Sequence, residues 1–202
     1  MTSSARPALA ALRLADAPER WAALGFDVDG STVRFADVVI ELGVEGQGIA
    51  GWRLSGVRPV TSLDGLVTEV SEAPVAGEPA THPNGAVGLD HVVIFTPRFA
   101  RTAAELAAAG IELRRIRRAP GGVRQGFRRL GPAILELVEV PEERDGPARF
   151  WGLVVTVSDL DALAERLGDR LGTVKPAVQP ERRIATLRES AGLGQAVAFM
   201  SV

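Results

Sequence analysis

NGAVGLDHVVIFTP, from Asn84 to Pro97, is a turn followed by a mostly β-branched strand that carries one histidine, His91. Such a run, bounded by glycine and proline, has the composition of a short buried strand. Phe99, Ala103, Leu106 and Gly110 then fall on one helical stripe, which predicts a helix from about Arg98 to Ala109 with Gly110 as its C-capping glycine. Strands are expected over 111–118, 123–130 and 133–140, with Pro120-Gly121-Gly122 turning between the first two. The order is strand, helix, strand, strand, strand.

The same order recurs on both sides, so an internal repeat organises the chain. Downstream, LVVTV (153–157) is a strand, and Ser158 with Asp161 reads as a capping box. Leu160, Leu163, Ala164 and Leu167 have helical spacing, and strand-like runs follow at 173–178, 183–189 and 195–201. Upstream the copy is eroded: a strand at 8–14, Pro18 as the first residue of a short helix through Trp21 to Leu24, and strands at 33–35 and 38–44. VVIELGV (38–44) echoes AILELVEV (133–140), which sets Glu41 opposite Glu136. The expected organisation is module 1 over 1–57, a connection over 58–86 ending in HPNG, module 2 over 87–141 and module 3 over 148–202.

Composition narrows the function classes. With 202 residues, 46% of them hydrophobic, the chain can bury one or two cores. It has no cysteine, so neither disulfides nor thiolate chemistry are available. The formal net charge of −2 argues against a nucleic-acid binder. The first twenty residues carry no apolar leader and no run approaches a membrane span, from which a cytoplasmic protein without membrane partners is expected. No glycine cluster has phosphate-loop or dinucleotide spacing, so no nucleotide cofactor is expected. Only His82 and His91 titrate near neutral pH by their ordinary chemistry.

Three βαβββ units, the GLDHVVI strand and the ILELVE strand resemble the vicinal oxygen chelate superfamily, which includes glyoxalases, extradiol dioxygenases and bleomycin-resistance proteins. The resemblance covers most of the chain apart from 58–81. It implies an α+β fold in which two modules pair into an open curved barrel around a small-molecule cleft. It also implies metal ligands on the first and last strand of each module. Those places are filled by His91 and Glu136 in module 2 and by Ala10 and Glu41 in module 1. In module 3 they fall on Gly152 and roughly Ala198, which cannot ligate.

One histidine and two carboxylates suit a divalent ion such as zinc, iron, manganese or nickel. We therefore expect modules 1 and 2 to form the cleft, because that pairing can gather Glu41, His91 and Glu136 as metal ligands. Module 3 is then left to pack beside the barrel or to make a homodimer. His82 is either a catalytic base in the cleft or a brace for the Pro83-Asn84-Gly85 turn. On the arginine-rich hairpin, Arg124, Gln125 and Arg129 are candidate substrate-binding residues, able to clamp a carboxylate or phosphate, or else part of a solvated basic face. Trp52 is either core or pocket wall. Two functions stay open: a metal-dependent lyase, isomerase or dioxygenase, and a metal-free small-molecule binder.

Overall fold

A computed structural model describes residues 6–72, 78–119, 121–140 and 145–202. The strands fall into two sheets. Ala8–Leu14 (β1), Thr32–Arg34 (β2), Val39–Glu41 (β3), Ile49–Ser55 (β4), Ser62–Leu63 (β5) and Leu66–Ser71 (β6) form the first, in the order β2-β3-β1-β4-β6-β5. The helix Pro18–Ala23 (α1) follows β1, with Pro18 in its first turn, where a missing N–H costs nothing. Gly25 follows this helix at φ 84°, a conformation that glycine alone adopts freely.

The second sheet holds Ala86–Thr96 (β7), Arg115–Arg118 (β8), Arg124–Leu130 (β9), Ala133–Glu139 (β10), Arg149–Val157 (β11), Lys175–Pro176 (β12), Arg183–Thr186 (β13) and Ala196–Ser201 (β14). Its order is β12-β13-β14-β11-β7-β10-β9-β8. The helices Phe99–Ala108 (α2) and Leu160–Leu167 (α3) cover its outer face, burying Phe99, Thr102 and Leu106 from one and Leu160, Leu163 and Leu167 from the other. One core cluster runs through both sheets, joining Leu12, Trp21 and Trp52 to Leu135, Leu153 and Phe199. Among the described residues no helix is long and apolar enough to cross a membrane.

The expected pairing of modules 1 and 2 is overturned. β7 and β11 are antiparallel neighbours, so modules 2 and 3 share one continuous sheet. The reason is an edge-strand argument. Ile49–Ser55, not anticipated as a strand, takes the free edge of β1, so β1 has none to offer β7. β5 and β6 lie inside the expected connection 58–86, and β6 extends the first sheet from β4. The first sheet is thus itself two half-modules meeting at β1 and β4. No module lacks a partner within the chain, which removes the ground for expecting a homodimer.

The cap of α3 also differs from expectation. Asp159, not Ser158, is the N-cap: its Oδ1 accepts from the N–H groups of Asp161 at 3.0 Å and Ala162 at 2.9 Å. The Ser158 hydroxyl instead donates to the Gly85 carbonyl. Asp159→Ala should cost about 1 kcal/mol, measurable by urea denaturation, whereas Ser158→Ala should cost less. The expected turn at 120–122 loses Pro120, which lies outside the described residues.

Candidate active site

The concave face of the second sheet encloses a cleft of about 1400 Å³. A bulge in β7 decides what faces it. The register with β11 steps from His91↔Val154 to Leu89↔Val155, leaving Asp90 as an extra residue. A bulge shifts the alternation of side chains by one place. Leu89 therefore joins Val92 and Ile94 in the core, rather than sharing the face of His91 as strict alternation predicts. Asp90 and His91 come side by side, with Asp90 Oδ2 2.7 Å from His91 Nδ1. Arg182, on the hairpin of module 3, donates from Nη1 to Asp90 Oδ1 at 2.5 Å.

Burial pushes the Asp90 carboxyl up, but hydrogen bonds from His91 and Arg182 outweigh it and hold the group below the ordinary carboxylate range. An ionised Asp90 can only accept, so Nδ1 is the His91 nitrogen that donates to it, and in a neutral imidazole Nε2 is then the nitrogen able to accept. That Nε2 lies 3.6 Å from Glu136 Oε2. Glu136 comes from β10, where Leu135 and Leu137 on either side of it turn into the core. Its Oε1 accepts from Gln125 Nε2 at 3.1 Å, and Gln125 Oε1 accepts from Arg117 Nε at 2.8 Å. The Arg117 guanidinium lies 5.1 Å above the Phe127 ring. A single chain of polar contacts thus runs from Arg182 through Asp90, His91, Glu136 and Gln125 to Arg117.

Burial raises the Glu136 carboxyl above its ordinary range, with the charges of His91 and Arg117 opposing. The folded chain therefore holds this proton to higher pH than the unfolded chain does. Stability contributed here is present below the ordinary glutamate value of 4.5 and declines as pH rises through the folded value. Glu136→Gln should remove that slope. Melting temperatures of the two proteins should be close in acid and diverge by a few degrees in favour of the variant above that window.

The other half of the cleft is apolar. A second bulge, at Trp151 in β11, mirrors the one at Asp90: the register steps from Gly152↔Val93 to Phe150↔Ile94. Gly152 therefore stands where His91 does. Because Ile134 pairs with His91 as Ala196 pairs with Gly152, Ala198 stands where Glu136 does, as the sequence implied. A Cβ added at Gly152 would lie 2.3 Å from the Ala196 carbonyl oxygen, so no side chain fits. Val154, Ala198 and Met200 form a separate buried cluster there, with Ala177 and Ile184 packed against it.

Glu41 is not at this site. The sequence echo was sound in register, since Val39 pairs with Ala11 beyond a bulge as Ile134 pairs with His91. Yet Glu41 belongs to the first sheet, where Arg53 Nη1 donates to it at 2.7 Å and Arg13 Nε approaches at 3.4 Å. Glu69 takes Arg53 Nη2 at 3.0 Å and also pairs with Arg13. Two arginines and two glutamates thus fill the counterpart of the cleft floor in the first sheet. The expected three-ligand set does not assemble, and among the described residues no group of three His, Cys, Asp or Glu side chains could hold a metal. His91 and Glu136 alone do not fit a resident ion of the kind the resemblance implies, because protein sites for such ions draw on three or four ligands.

Three further expectations are corrected. His82 is buried: its Nδ1 accepts from the Asp27 N–H at 3.1 Å. Phe26 and Phe35 meet its ring edge-on. Burial lowers its pKa, so it stays a neutral brace between the sheets. Trp52 is fully buried, donating to Thr68 Oγ1 at 2.8 Å and meeting Phe150 edge-on. Arg124 points to the opposite face of β9, clamped on Glu139 at 2.6 and 2.9 Å and lying over Phe99. Gln125 and Arg129 do line the cleft. Asp90 and Arg182 were missed: Asp90 is adjacent to His91, and only the bulge puts both on one side.

The sequence matches no protein-family profile and no curated protein. Among solved structures the likeness is one of fold. A triple mutant of 4-hydroxymandelate synthase from Streptomyces coelicolor aligns over 96% of this chain and 92% of its own, with TM-score 0.63 and 14% identity. Methylmalonyl-CoA epimerase from Mycobacterium tuberculosis aligns over 58% of this chain and 89% of its own, with TM-score 0.48 and 21% identity. A variant of the Streptomyces coelicolor epimerase, in complex with 2-nitronate-propionyl-CoA, covers 57% of this chain and 97% of its own, with TM-score 0.47 and 20% identity.

Proposed function

We propose that this chain is a small-molecule enzyme of the vicinal-oxygen-chelate fold whose chemistry is proton transfer by His91 and Glu136, without a resident metal ion. The observation that carries this reading is the Asp90–His91–Glu136 arrangement. Asp90 fixes Nδ1–H at 2.7 Å, which presents Nε2 as a base beside a carboxyl whose pKa is raised. A base and an acid 3.6 Å apart on the floor of a cleft can remove a proton from one face of a bound molecule and return it at another atom. Arg117 and Gln125 orient Glu136, and the apolar wall of Ile184 and Met200, backed by Val154 and Ala198, excludes water from that side. Val154, Ala198 and Gly152 offer no atom to a metal.

The test is solvent deuterium incorporation, followed by NMR, into a panel of small carbonyl acids and esters with the wild-type protein, His91→Ala and Glu136→Gln. Exchange catalysed by the wild type and lost in both variants supports the reading. A metal-free binder is the second reading, favoured by the apolar half of the cleft. Ligand-induced stabilisation with no exchange for any compound would replace the enzyme with the binder.

A further inference from the structure

The walls of the cleft are far more positive than the protein as a whole. The chain carries a formal charge of −2, yet Arg114, Arg115, Arg117, Arg128, Arg129 and Lys175 all line this one cavity, with Glu136 as its single acid. Arg6 adds a further positive charge at the same wall. Among the described residues, only Arg114 of these has a salt bridge, to Glu112 at 3.2 Å. Arg128 Nε is enclosed without an acceptor. Elsewhere several arginines are matched: Arg53 with Glu41, Arg124 with Glu139 and Arg183 with Asp161. In this cleft seven cationic side chains line the wall beside one acid, Glu136.

Between these cations the lining is apolar, with Phe127, Ile134, Val178, Ile184 and Met200. A solvated basic face needs no such enclosure. Guanidinium forks on neighbouring strands bind oxyanions with two hydrogen bonds each, and a cavity lined by one sign of charge concentrates ions of the other.

We infer that the natural ligand of this cleft is an amphiphilic polyanion: an apolar body seated on Phe127, Ile134 and Met200, and a phosphate or polycarboxylate group held by Arg115 and Arg129. This deepens the proposed function by naming the class of molecule it acts on, and it rests on the same cleft. The anionic group sits on the β8–β9 side, so the apolar body reaches His91 and Glu136.

The probe is anilinonaphthalene sulfonate, an aromatic anion whose fluorescence reports binding to the whole protein. Inorganic pyrophosphate and tricarballylate are the competitors. One or both should displace the dye, and which does so separates phosphate from carboxylate recognition. Added salt should weaken binding. Arg115→Gln and Arg129→Gln, both at exposed positions and neither in a salt bridge among the described residues, should each weaken it about 10-fold. Proton exchange is followed in the same proteins, so anion binding retained without any exchange speaks only against the proposed chemistry, and lost anion binding only against this inference. Failure of both anions to displace the dye, or equal binding by the double variant Arg115→Gln/Arg129→Gln, would overturn the inference. So would tight binding of neutral Nile red that neither salt nor these substitutions alter.

Discussion

Trp52→Ala should destabilise the protein by about 3–5 kcal/mol and leave ligand binding in the cleft unchanged. The indole is fully enclosed at the centre of β4. Its ring meets Phe150 of the second sheet at 5.3 Å, so it packs where the two sheets share their core. Truncation leaves a cavity that backbone from two sheets cannot close, and cavity volume dominates the cost of such changes. It also removes the donor to Thr68, whose hydroxyl is buried and itself donates to the Leu66 carbonyl. Trp52→Phe, which keeps most of the volume and loses the N–H, should cost less than half as much. Guanidinium denaturation of the three proteins measures this directly. Unchanged stability with lost ligand binding would return Trp52 to the role of pocket wall.

His91→Ala should reduce proton exchange by about 10² to 10⁴, the usual contribution of a positioned general base. Asp90→Asn isolates the cause. Asparagine keeps the shape of Asp90 but can offer an N–H to Nδ1, which would move the imidazole proton to Nε2, the atom that must be free. Nitrogen-15 NMR of the imidazole reads the tautomer independently of turnover. The expected result is Nδ1–H in the wild type, a changed tautomer population in Asp90→Asn, and a fall in exchange rate that tracks it. Arg182 belongs to the same device, since it reaches Asp90 from module 3 and also donates to the Ser201 carbonyl at 2.7 Å. A normal tautomer and undiminished exchange in Asp90→Asn would separate Asp90 from catalysis and leave it a structural partner of Arg182.

The first sheet shows what the same register becomes without an open cleft floor. Glu41 and Glu69 occupy the places of Glu136 and Ala198, and Arg13 and Arg53 close over them. These side chains are roughly one-third exposed, so the pairs contribute little to stability one by one. They do satisfy the two carboxylates locally. The two sheets share a pattern and differ in chemistry: one holds a His–Glu pair, the other has the same geometry and fills it with ion pairs.

Much of this was legible in the residues themselves. Short apolar runs located β1, β7, β10 and β14, and helical spacing located α2 and α3, because both signals depend only on neighbours along the chain. The echo of VVIELGV in AILELVEV identified Glu41 and Glu136 as equivalent places, and module 3 was correctly read as lacking ligands at 152 and 198. The pairing of the sheets was not legible. It turned on β4, a strand interrupted by Gly51, claiming the free edge of β1, and edge competition is decided by contacts distant in sequence. The site was half legible for the same reason. The resemblance pointed to His91 and Glu136 and the arginine-rich hairpin to Gln125 and Arg129, but strict alternation gave the wrong neighbours to His91. One extra residue, Asp90, reverses the faces of β7, and only the register against β11 shows where that residue is accommodated. Local sequence determined which side chains could do chemistry; strand pairing decided which of them meet.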